Sequence, residues 1–390
     1  MTAAPTPAPA PAPAPASTGT GPTPAARRST RVDVAIQGIR LLDAPVSRRA
    51  GAGPSDDGHV LLDGVGAAIP LSPRSPYTVA AGRLLLDGAD TGLGVEAVAR
   101  PRFYDLATAD GISYEKIARL HSANVLATTV VQTCSRYPAQ TRCRFCAIEE
   151  SLNAGATIAV KTPAMLAEVA RAAVELDGVT QMVMTTGTSA GRDRGATHLA
   201  RCVRAVHGAV PHLPVQVQVE PPGDLGSIQD LYDAGTRSIG IHVESLDDAA
   251  RLRWMPGKGA VPMAEYKAAW AEAVRVFGWN QVSTYILIGL GEDPDELVVG
   301  CEELIAMGVY PFVVPYRPLA GTLAREVDHA PAPPHDLVYD VTSRVAAALR
   351  QAGMLAGGQA AGCAACGACS ALGACTEDES GESAPLEAAS

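Results

Sequence analysis

The feature that most restricts the fold of this 390-residue chain is an alternation of short apolar runs with Ala-rich amphipathic stretches from about residue 120 onward. Amphipathic stretches such as residues 162–177 are predicted helices, because a Thr-Pro start and a stop at Gly178 frame an apolar stripe. A repeated β-then-α order implies parallel strands with right-handed crossovers, hence a partial or full β/α barrel or an open doubly wound sheet. The predicted strands are residues 125–133, 180–186, 214–220, 238–244, 282–289 and 309–316.

Composition agrees with this prediction and excludes some classes of protein. Hydrophobic residues make up 47% of the chain and aromatic residues only 4%, which is typical of the Val-, Leu-, Ala- and Ile-rich cores of parallel α/β sheets. A net charge of −10 argues against nucleic-acid binding, because phosphate contacts need clustered Lys and Arg. No apolar run approaches the roughly eighteen residues of a membrane-spanning helix, so no membrane association is predicted.

The two ends of the chain differ from its middle. Residues 1–30 alternate Ala and Pro and are predicted to be a disordered tail, not a signal peptide, so a cytoplasmic location is expected. In that reducing compartment, clustered cysteines indicate metal ligands or redox groups before disulfides. The predicted divisions that follow are a β-rich N-terminal module (31–102), the barrel core (103–325), a C-terminal helix with a Cys-rich segment (326–376), and an acidic disordered tail (377–390).

Three cysteines, Cys134, Cys143 and Cys146, directly follow the first predicted strand with the spacing C-x8-C-x2-C. In a parallel sheet, chemistry belongs at the carboxyl ends of the strands, and a C-x-x-C turn presents two thiolates together. Three thiolates suit a [4Fe–4S] cluster that leaves one iron free to bind a small molecule. A zinc knuckle is the alternative, with His121 or another cysteine as the fourth ligand.

On these residues the chain resembles the radical S-adenosylmethionine (SAM) enzymes, closest in motif style to biotin synthase and lipoyl synthase. The usual spacing there is C-x3-C-x2-C, so this chain carries an insertion, and Phe145 matches the aromatic residue that packs beside the adenine. The resemblance implies a partial (β/α)6 TIM-like barrel in which SAM is reductively cleaved to a 5′-deoxyadenosyl radical that abstracts hydrogen from a small substrate. It also implies an oxidoreductase or transferase with an electron donor such as flavodoxin or ferredoxin.

Within that superfamily, the chain more closely resembles an uncharacterised family encoded beside nitrilases in bacterial gene clusters. That neighbourhood suggests nitrile-related metabolism, and the likeness to biotin and lipoyl synthases suggests sulfur insertion. An iron–sulfur or zinc protein that acts in electron transfer without SAM is the alternative.

Later segments resemble the parts of radical SAM enzymes that hold SAM. Residues 185–198 resemble a lipoyl synthase segment, and the resemblance implies that this loop holds the SAM amino group. In 240–248, Glu244 stands where a carboxylate binds the ribose hydroxyls, and His242 replaces a common Asn. In 285–293, a glycine turn resembles the segment whose backbone meets the adenine. The residues so predicted to bind the cofactor are Phe145, Thr185, Thr186, Gly187, Ser189, Arg192, His242, Glu244, Gly289 and Gly291, with Glu220 after the third strand as a further candidate for cofactor or substrate.

A second cysteine group, Cys363, Cys366, Cys369 and Cys375, has the spacing C-x2-C-x2-C-x5-C. Its first three members match a ferredoxin-type run, and four thiolates can close a second [4Fe–4S] cluster. Zinc or a flexible redox tail are the alternatives. An auxiliary cluster there would pass electrons, anchor substrate or donate sulfur, as the resemblance implies.

One rival function uses a serine. The segment 187–191, GTSAG, fits a G-x-S-x-G nucleophile elbow, with Ser189 as nucleophile and His335 as base. A serine hydrolase has no use for two cysteine groups, which makes this alternative the weaker one. The remaining cysteines, Cys202 and Cys301, lie at helical positions and are predicted to be packed thiols.

Overall fold

The computed structural model describes residues 22–40 and 59–376. The predicted acidic tail, and the predicted Ala/Pro tail up to residue 21, lie outside the described residues. Within the described part of the chain, no helix is long and apolar enough to cross a membrane.

The N-terminal part of the described chain begins with a helix that crosses the predicted boundary between the tail and the β-rich module. The sequence predicts disorder for residues 24–30 and β structure for residues 31–37, whereas both stretches belong to helix α1, Pro24–Gln37. Thr23 accepts a hydrogen bond from the amide of Ala26, and Pro24 occupies the first turn, so capping selects the helix. The V-D-V alternation that resembles a strand instead buries Val32 and Val34 against two different cores.

A five-stranded antiparallel sheet follows, in the order β2-β1-β5-β4-β3. It has its own small core, which Leu62, Leu84 and Leu93 share with Val34. The strands are β1 His59–Leu62, β2 Val65–Ala68, β3 Tyr77–Ala80, β4 Arg83–Leu86 and β5 Ala89–Ala97.

The main sheet has seven strands and forms a curled half-barrel in the order β12-β11-β10-β9-β8-β7-β6. Its six strands from β7 to β12 are all parallel, and only β6 pairs antiparallel, with β7. The predicted β/α half-barrel is therefore confirmed. The strands are β6 Arg119–His121, β7 Val125–Thr129, β8 Gln181–Thr185, β9 Val215–Gln218, β10 Thr236–Gly240, β11 Val282–Ile288 and β12 Val309–Pro315.

Helices connect the strands and cover the sheet. The helix α3 begins and ends as predicted, since Thr162 caps its start and Gly178 adopts a left-handed conformation with φ of 65° at its end. The helices are α2 Ile148–Asn153, α3 Pro163–Asp177, α4 Ala196–Ala209, α5 Gly226–Asp233, α6 Asp248–Trp254, α7 Pro256–Gly259, α8 Met263–Phe277, α9 Pro294–Ala306, α10 Leu323–Glu326, α11 His335–Gln351, α12 Cys363–Cys366 and α13 Leu372–Thr376.

The Cys-rich C-terminal segment crosses the amino ends of the strands. Four consecutive backbone amides, those of residues 360–363, donate hydrogen bonds to side chains of the sheet and its approach. Their acceptors are Gln281, Ser238, Gln181 and Gln216, at 3.0, 3.3, 2.7 and 3.2 Å. Farther on, the Ser370 hydroxyl donates to the carbonyl of Val313 on edge strand β12 at 2.6 Å. The segment therefore closes the amino end of the half-barrel.

Candidate active site

A cavity of about 410 Å³ lies inside the half-barrel, and both cysteine groups line it. Cys134, Cys143 and Cys146 contribute from the loop after β7, at the carboxyl end of the sheet. Cys363 and Cys369 contribute from the segment that closes the amino end. Two regions that are more than two hundred residues apart in the chain thus meet across one cavity.

The loop that carries the first cysteine group extends the pairing of β7 with β8. The amide of Gly187 donates to the carbonyl of Val131 at 2.8 Å, and the amide of Ser135 donates to the carbonyl of Thr188 at 2.8 Å. A side chain at Gly187 would stand 2.1 Å from the carbonyl oxygen of Thr133, so only glycine permits this approach. The predicted SAM-binding loop therefore lies directly beside the cysteines, and Thr185, Thr186 and Gly187 line the cavity.

The insertion between Cys134 and Cys143 is held by charge. Arg136 forms a two-pronged ion pair with Glu220, at 2.9 Å from Nε to Oε1 and 2.8 Å from Nη2 to Oε2. The Thr188 hydroxyl donates to the same carboxylate at 2.8 Å. Glu220 thus ties the insertion to the strand ends. The sequence predicts Glu220 only as a contact for cofactor or substrate, and it does not predict this structural role.

A second cation closes the end of the insertion. The guanidinium of Arg142 stacks over the ring of Tyr137, 4.2 Å from its centroid, and donates to the carbonyl of Cys146 at 3.1 Å. This arrangement stabilises the turn between Cys143 and Cys146 and places a positive charge beside the thiols.

Glu244 occupies a strained position at the edge of the cavity. Its φ of 68° is uncommon for a residue other than glycine, and such strain, of order 1–3 kcal/mol, is concentrated at functional sites. Its carboxylate accepts from Lys258 at 3.0 Å. Burial alone would lower the pKa of Lys258, but Glu244 and further acidic groups outweigh it and raise that pKa above its ordinary value. Lys258 therefore stays charged beside Glu244.

Sequence reasoning missed Lys258. It lies in α7, within a Pro-Gly-Lys-Gly turn, and lines the cavity with only 8% of its surface exposed. A lysine framed by proline and glycines is the one local signal that marks it.

His242 presents a hydrogen-bond donor to the cavity. Its Nδ1 accepts from the amide of Tyr285 at 3.1 Å, and its ring contacts the ring of Tyr285 edge-on at 4.6 Å. Burial, reinforced by the charge of Lys258, lowers the pKa of His242 well below its ordinary value, so the imidazole is neutral. The proton of this neutral ring therefore lies on Nε2, which has no hydrogen-bond partner among the described residues.

Burial disfavours the thiolate form of the cysteines in both groups. Burial raises the pKa of Cys146 to about 11 and the pKa of Cys363 to about 12, so each thiol must lose its proton to a metal. Within the described residues, no group of three or more His, Cys, Asp or Glu side chains is arranged around one ion.

The C-terminal cysteines approach from the amino end of the sheet. The thiol of Cys363 accepts from the Gln218 amide at 3.0 Å, and Cys366 packs against Ala127 and Val183. The fourth predicted ligand, Cys375, lies elsewhere: its sulfur is 4.0 Å from the hydroxyl of Ser343 on α11, and it is not among the residues that line the cavity.

Some predicted site residues lie away from the main cavity. Ser189 and Arg192 are exposed, because the loop turns toward solvent after Thr188. Gly289 and Gly291 line a second cavity of about 220 Å³, where a side chain on Gly289 would stand 2.7 Å from Pro333. Their contacts with a cofactor stay predictions.

Phe145 lines the main cavity, where a contact with the adenine was predicted. Cys202 and Cys301 are fully buried in α4 and α9, as predicted. The serine-hydrolase alternative is wrong. His335 lies 3.0 Å from the Ser29 hydroxyl and 2.9 Å from Asp336, so both of its ring nitrogens have partners away from Ser189.

Comparison with known proteins agrees with the position of the first cysteine group. The profile of the Radical SAM superfamily matches residues 134–302, beginning at Cys134. Bacteriochlorophyllide c C-7(1)-hydroxylase of Chlorobaculum limnaeum is 29% identical over 139 residues, which are 34% of this chain and 33% of that protein. Lipoyl synthase of Ectopseudomonas mendocina (strain ymp) is 26% identical over 172 residues, which are 43% of this chain and 46% of that protein. The chain thus spans less than half the length of both curated relatives.

Among solved structures, methylornithine synthase (PylB) aligns with 52% of this chain and 56% of its own, at 15% identity and a TM-score of 0.40. HydG, a maturase of the [FeFe]-hydrogenase, aligns with 59% of this chain and 49% of its own, at 15% identity and a TM-score of 0.43.

Proposed function

Because residues 134–302 belong to the radical SAM superfamily, we propose that the protein is an enzyme that holds a [4Fe–4S] cluster on Cys134, Cys143 and Cys146 and binds SAM beside it. The observation that carries this proposal is the meeting of these three thiols with Glu244 at one cavity of about 410 Å³. When bound there, such a cluster would supply the electron for reductive cleavage of SAM to a 5′-deoxyadenosyl radical, the chemistry by which hydrogen would be abstracted from a small substrate.

The side chains around the triad supply the contacts that SAM requires. Glu244 would accept hydrogen bonds from the ribose hydroxyls, and its ion pair with Lys258 at 3.0 Å fixes the direction of its carboxylate. Thr185 and Thr186 offer hydroxyls along the wall formed by the loop after β8. Phe145 supplies an apolar surface for the adenine.

His242 is proposed to contact substrate in addition to its predicted place beside the ribose. Its neutral ring offers the Nε2 proton, which has no acceptor among the described residues. A substrate carbonyl, carboxylate or similar acceptor would satisfy this buried donor, which otherwise costs about 1–3 kcal/mol. The site therefore favours a substrate that carries a hydrogen-bond acceptor near the reacting carbon.

The cavity has partly apolar walls and a covered amino end. Its walls include Ala127, Val183 and Val219, and residues 355–376 cover the amino end of the sheet. The first cysteine group lies in the loop after β7, so an electron donor such as flavodoxin or ferredoxin would approach from the carboxyl end of the sheet.

We propose a second [4Fe–4S] cluster on Cys363, Cys366 and Cys369. The support is the position of this group across the cavity from the first one and the hydrogen bond that Gln218 donates to Cys363. Hydrogen bonds of this kind tune the reduction potential of a cluster.

Low-temperature EPR on anaerobically reconstituted, dithionite-reduced protein tests both parts of the proposal. The expected result is about eight irons per chain and a reduced-cluster signal that changes when SAM is added. Cys134→Ala should remove the SAM-dependent change and SAM cleavage while about four irons remain, whereas the buried-thiol control Cys202→Ala should retain both. A signal that ignores SAM, or cleavage that survives Cys134→Ala, would overturn the assignment of the first cluster.

A further inference from the structure

We propose that His121, and not Cys375, is the fourth protein ligand of the metal centre held by Cys363, Cys366 and Cys369. The inference rests on the proposed second cluster for its iron, but it does not depend on the SAM site. It replaces one member of the ligand set that the spacing of the cysteines predicts.

The imidazole of His121 lies close to the C-terminal cysteines. Nε2 of His121 lies 3.5 Å from the sulfur of Cys369, and both side chains line the cavity. His121 is the last residue of edge strand β6, while Cys369 belongs to the segment that reaches across from β12. The contact joins the two open edges of the half-barrel, where a shared metal centre would link them.

The surrounding structure fixes the position of the His121 imidazole. The ring of His121 meets the ring of His59 edge-on at 4.5 Å, and Nδ1 of His59 accepts from the amide of Ser122 at 3.1 Å. Ser122 has a φ of 54°, so the chain turns sharply just after His121. The N-terminal sheet, which supplies His59, thereby holds His121 toward the cysteines.

The position of Cys375 does not favour it as the fourth ligand. It lies in α13, where its amide donates to the carbonyl of Ala371 at 3.2 Å and its own carbonyl accepts from Arg350. Its sulfur faces Ser343 on α11, whereas Cys363 and Cys369 face the cavity. To reach the other three cysteines, Cys375 would have to leave this helix contact.

The turn between Cys366 and Cys369 already presents the cysteines together. Cys363 and Cys366 are the ends of a one-turn helix, and Gly367 adopts a left-handed conformation with φ of 68° that redirects the chain toward β6. A centre with three thiolates and one imidazole carries one negative charge fewer than a four-cysteine centre, and replacement of Cys by His raises cluster potentials. The proposed ligand set therefore predicts a centre that is easier to reduce.

The test uses the full chain with Cys134→Ala, Cys143→Ala and Cys146→Ala combined, so that only the C-terminal centre remains. Reconstituted with iron and sulfide and reduced, it should hold about four irons and show strong nitrogen coupling in pulsed EPR. Adding His121→Ala should remove that coupling. His121→Cys should keep the iron, remove the coupling and lower the reduction potential. Adding Cys375→Ser should leave the iron content, the nitrogen coupling and the reduction potential unchanged. Cys301→Ser is the matched buried-thiol control. Thermal melts check that each variant is folded.

Loss of iron in the Cys375→Ser variant but not in the Cys301→Ser control, with nitrogen coupling unchanged in His121→Ala, would overturn the ligand set. Zinc in place of iron, lost with His121→Ala and retained with Cys375→Ser, would support the ligand set while overturning the second cluster. A C-terminal segment that binds neither metal would overturn both, but the EPR response to SAM would still stand or fall on the first centre alone.

Discussion

The two ends of the half-barrel each hold three cysteines, yet they position them with different chemistry. At the carboxyl end, ion pairs fix the loop, as between Arg136 and Glu220 and between Lys258 and Glu244. At the amino end, neutral amides and hydroxyls hold residues 360–363. Among these contacts, charge therefore dominates at the carboxyl end, and uncharged hydrogen bonds dominate at the amino end.

This difference matches what each end is proposed to do. The proposed ligand of the carboxyl end, SAM, carries a sulfonium, an amine and a carboxylate, and a site rich in paired charges can exchange its internal partners for those of such a ligand. A closing segment needs no such exchange, and amides offer one donor and one acceptor group without a large desolvation cost. Variants that remove a charge at one end or an amide at the other should separate these roles.

The largest effect should follow the loss of a buried charge. Glu244→Gln leaves the ammonium of Lys258 without its carboxylate and should lower the free energy of unfolding by about 3 kcal/mol. The pKa of Lys258 should fall, since burial then acts without the opposing charge. Denaturant unfolding of the metal-free protein measures the change.

Two controls accompany Glu244→Gln. Glu303→Gln removes an exposed pair with Lys267, 3.9 Å apart, and should cost less than about 1 kcal/mol. The double variant Glu244→Gln/Lys258→Met should recover part of the loss, because no unpaired charge stays buried. If the double variant is less stable than Glu244→Gln alone, the ion-pair explanation fails.

A smaller effect is expected at the amino end. Gln216 is fully buried, accepts from the amide of Cys363 at 3.2 Å and from the Gln218 amide at 3.1 Å. Gln216→Ala should cost about 1–3 kcal/mol, because both donors lose their acceptor. Unlike the loss at Glu244, it should vary little with salt. Chemical unfolding at low and high salt measures both values, with the surface variant Gln229→Ala as control; a strong salt dependence would contradict the contrast between the ends.

The smallest expected effect is on how the free energy of unfolding changes with pH. Lys161 supports the first cysteine loop through hydrogen bonds to Gln132 and Thr157, and burial lowers its pKa from 10.5 to about 7. Between those values the unfolded chain binds more protons than the folded one, so stability rises with pH. From about pH 7 to about pH 8.5, below the thiol range, the slope should approach about 1.4 kcal/mol per pH unit.

Lys161→Met should remove that part of the slope, and the exposed-lysine control Lys267→Met should retain it. Unfolding at a series of pH values gives the comparison as a difference of slopes. Equal slopes in the wild type and in Lys161→Met would mean that Lys161 does not titrate in this range.

Much of the fold and part of the site follow from local sequence patterns. The six parallel strands are visible because a buried strand is a short apolar run whatever surrounds it, and Cys134 follows one directly. Helix α1 does not follow from periodicity, because the pattern around Val32 and Val34 alternates like a strand, while the capping by Thr23 and Pro24 decides in favour of a helix. At this position the cap outweighs the alternation of apolar residues.

Partnerships across the barrel could not be predicted in the same way. The ion pair of Arg136 with Glu220 and the contact of His121 with Cys369 join residues 84 and 248 positions apart. The spacing of residues in the sequence marks neither contact, because each depends on where the sheet curls and on which end of it the C-terminal segment covers. His121 was considered a ligand for the first cysteine group, and the structure places it beside the second.

The closure of the amino end has a consequence for how the protein is made. All strands of the half-barrel leave the ribosome before residues 355–376, so the sheet passes through a stage in which Gln181, Gln216 and Gln218 have not yet met their partners. The contact between His121 and Cys369 has one of the longest sequence separations in the molecule, and such contacts are slow to form. The half-barrel is therefore synthesised with its amino end open, and residues 355–376 can cover that end only after all seven strands have been made.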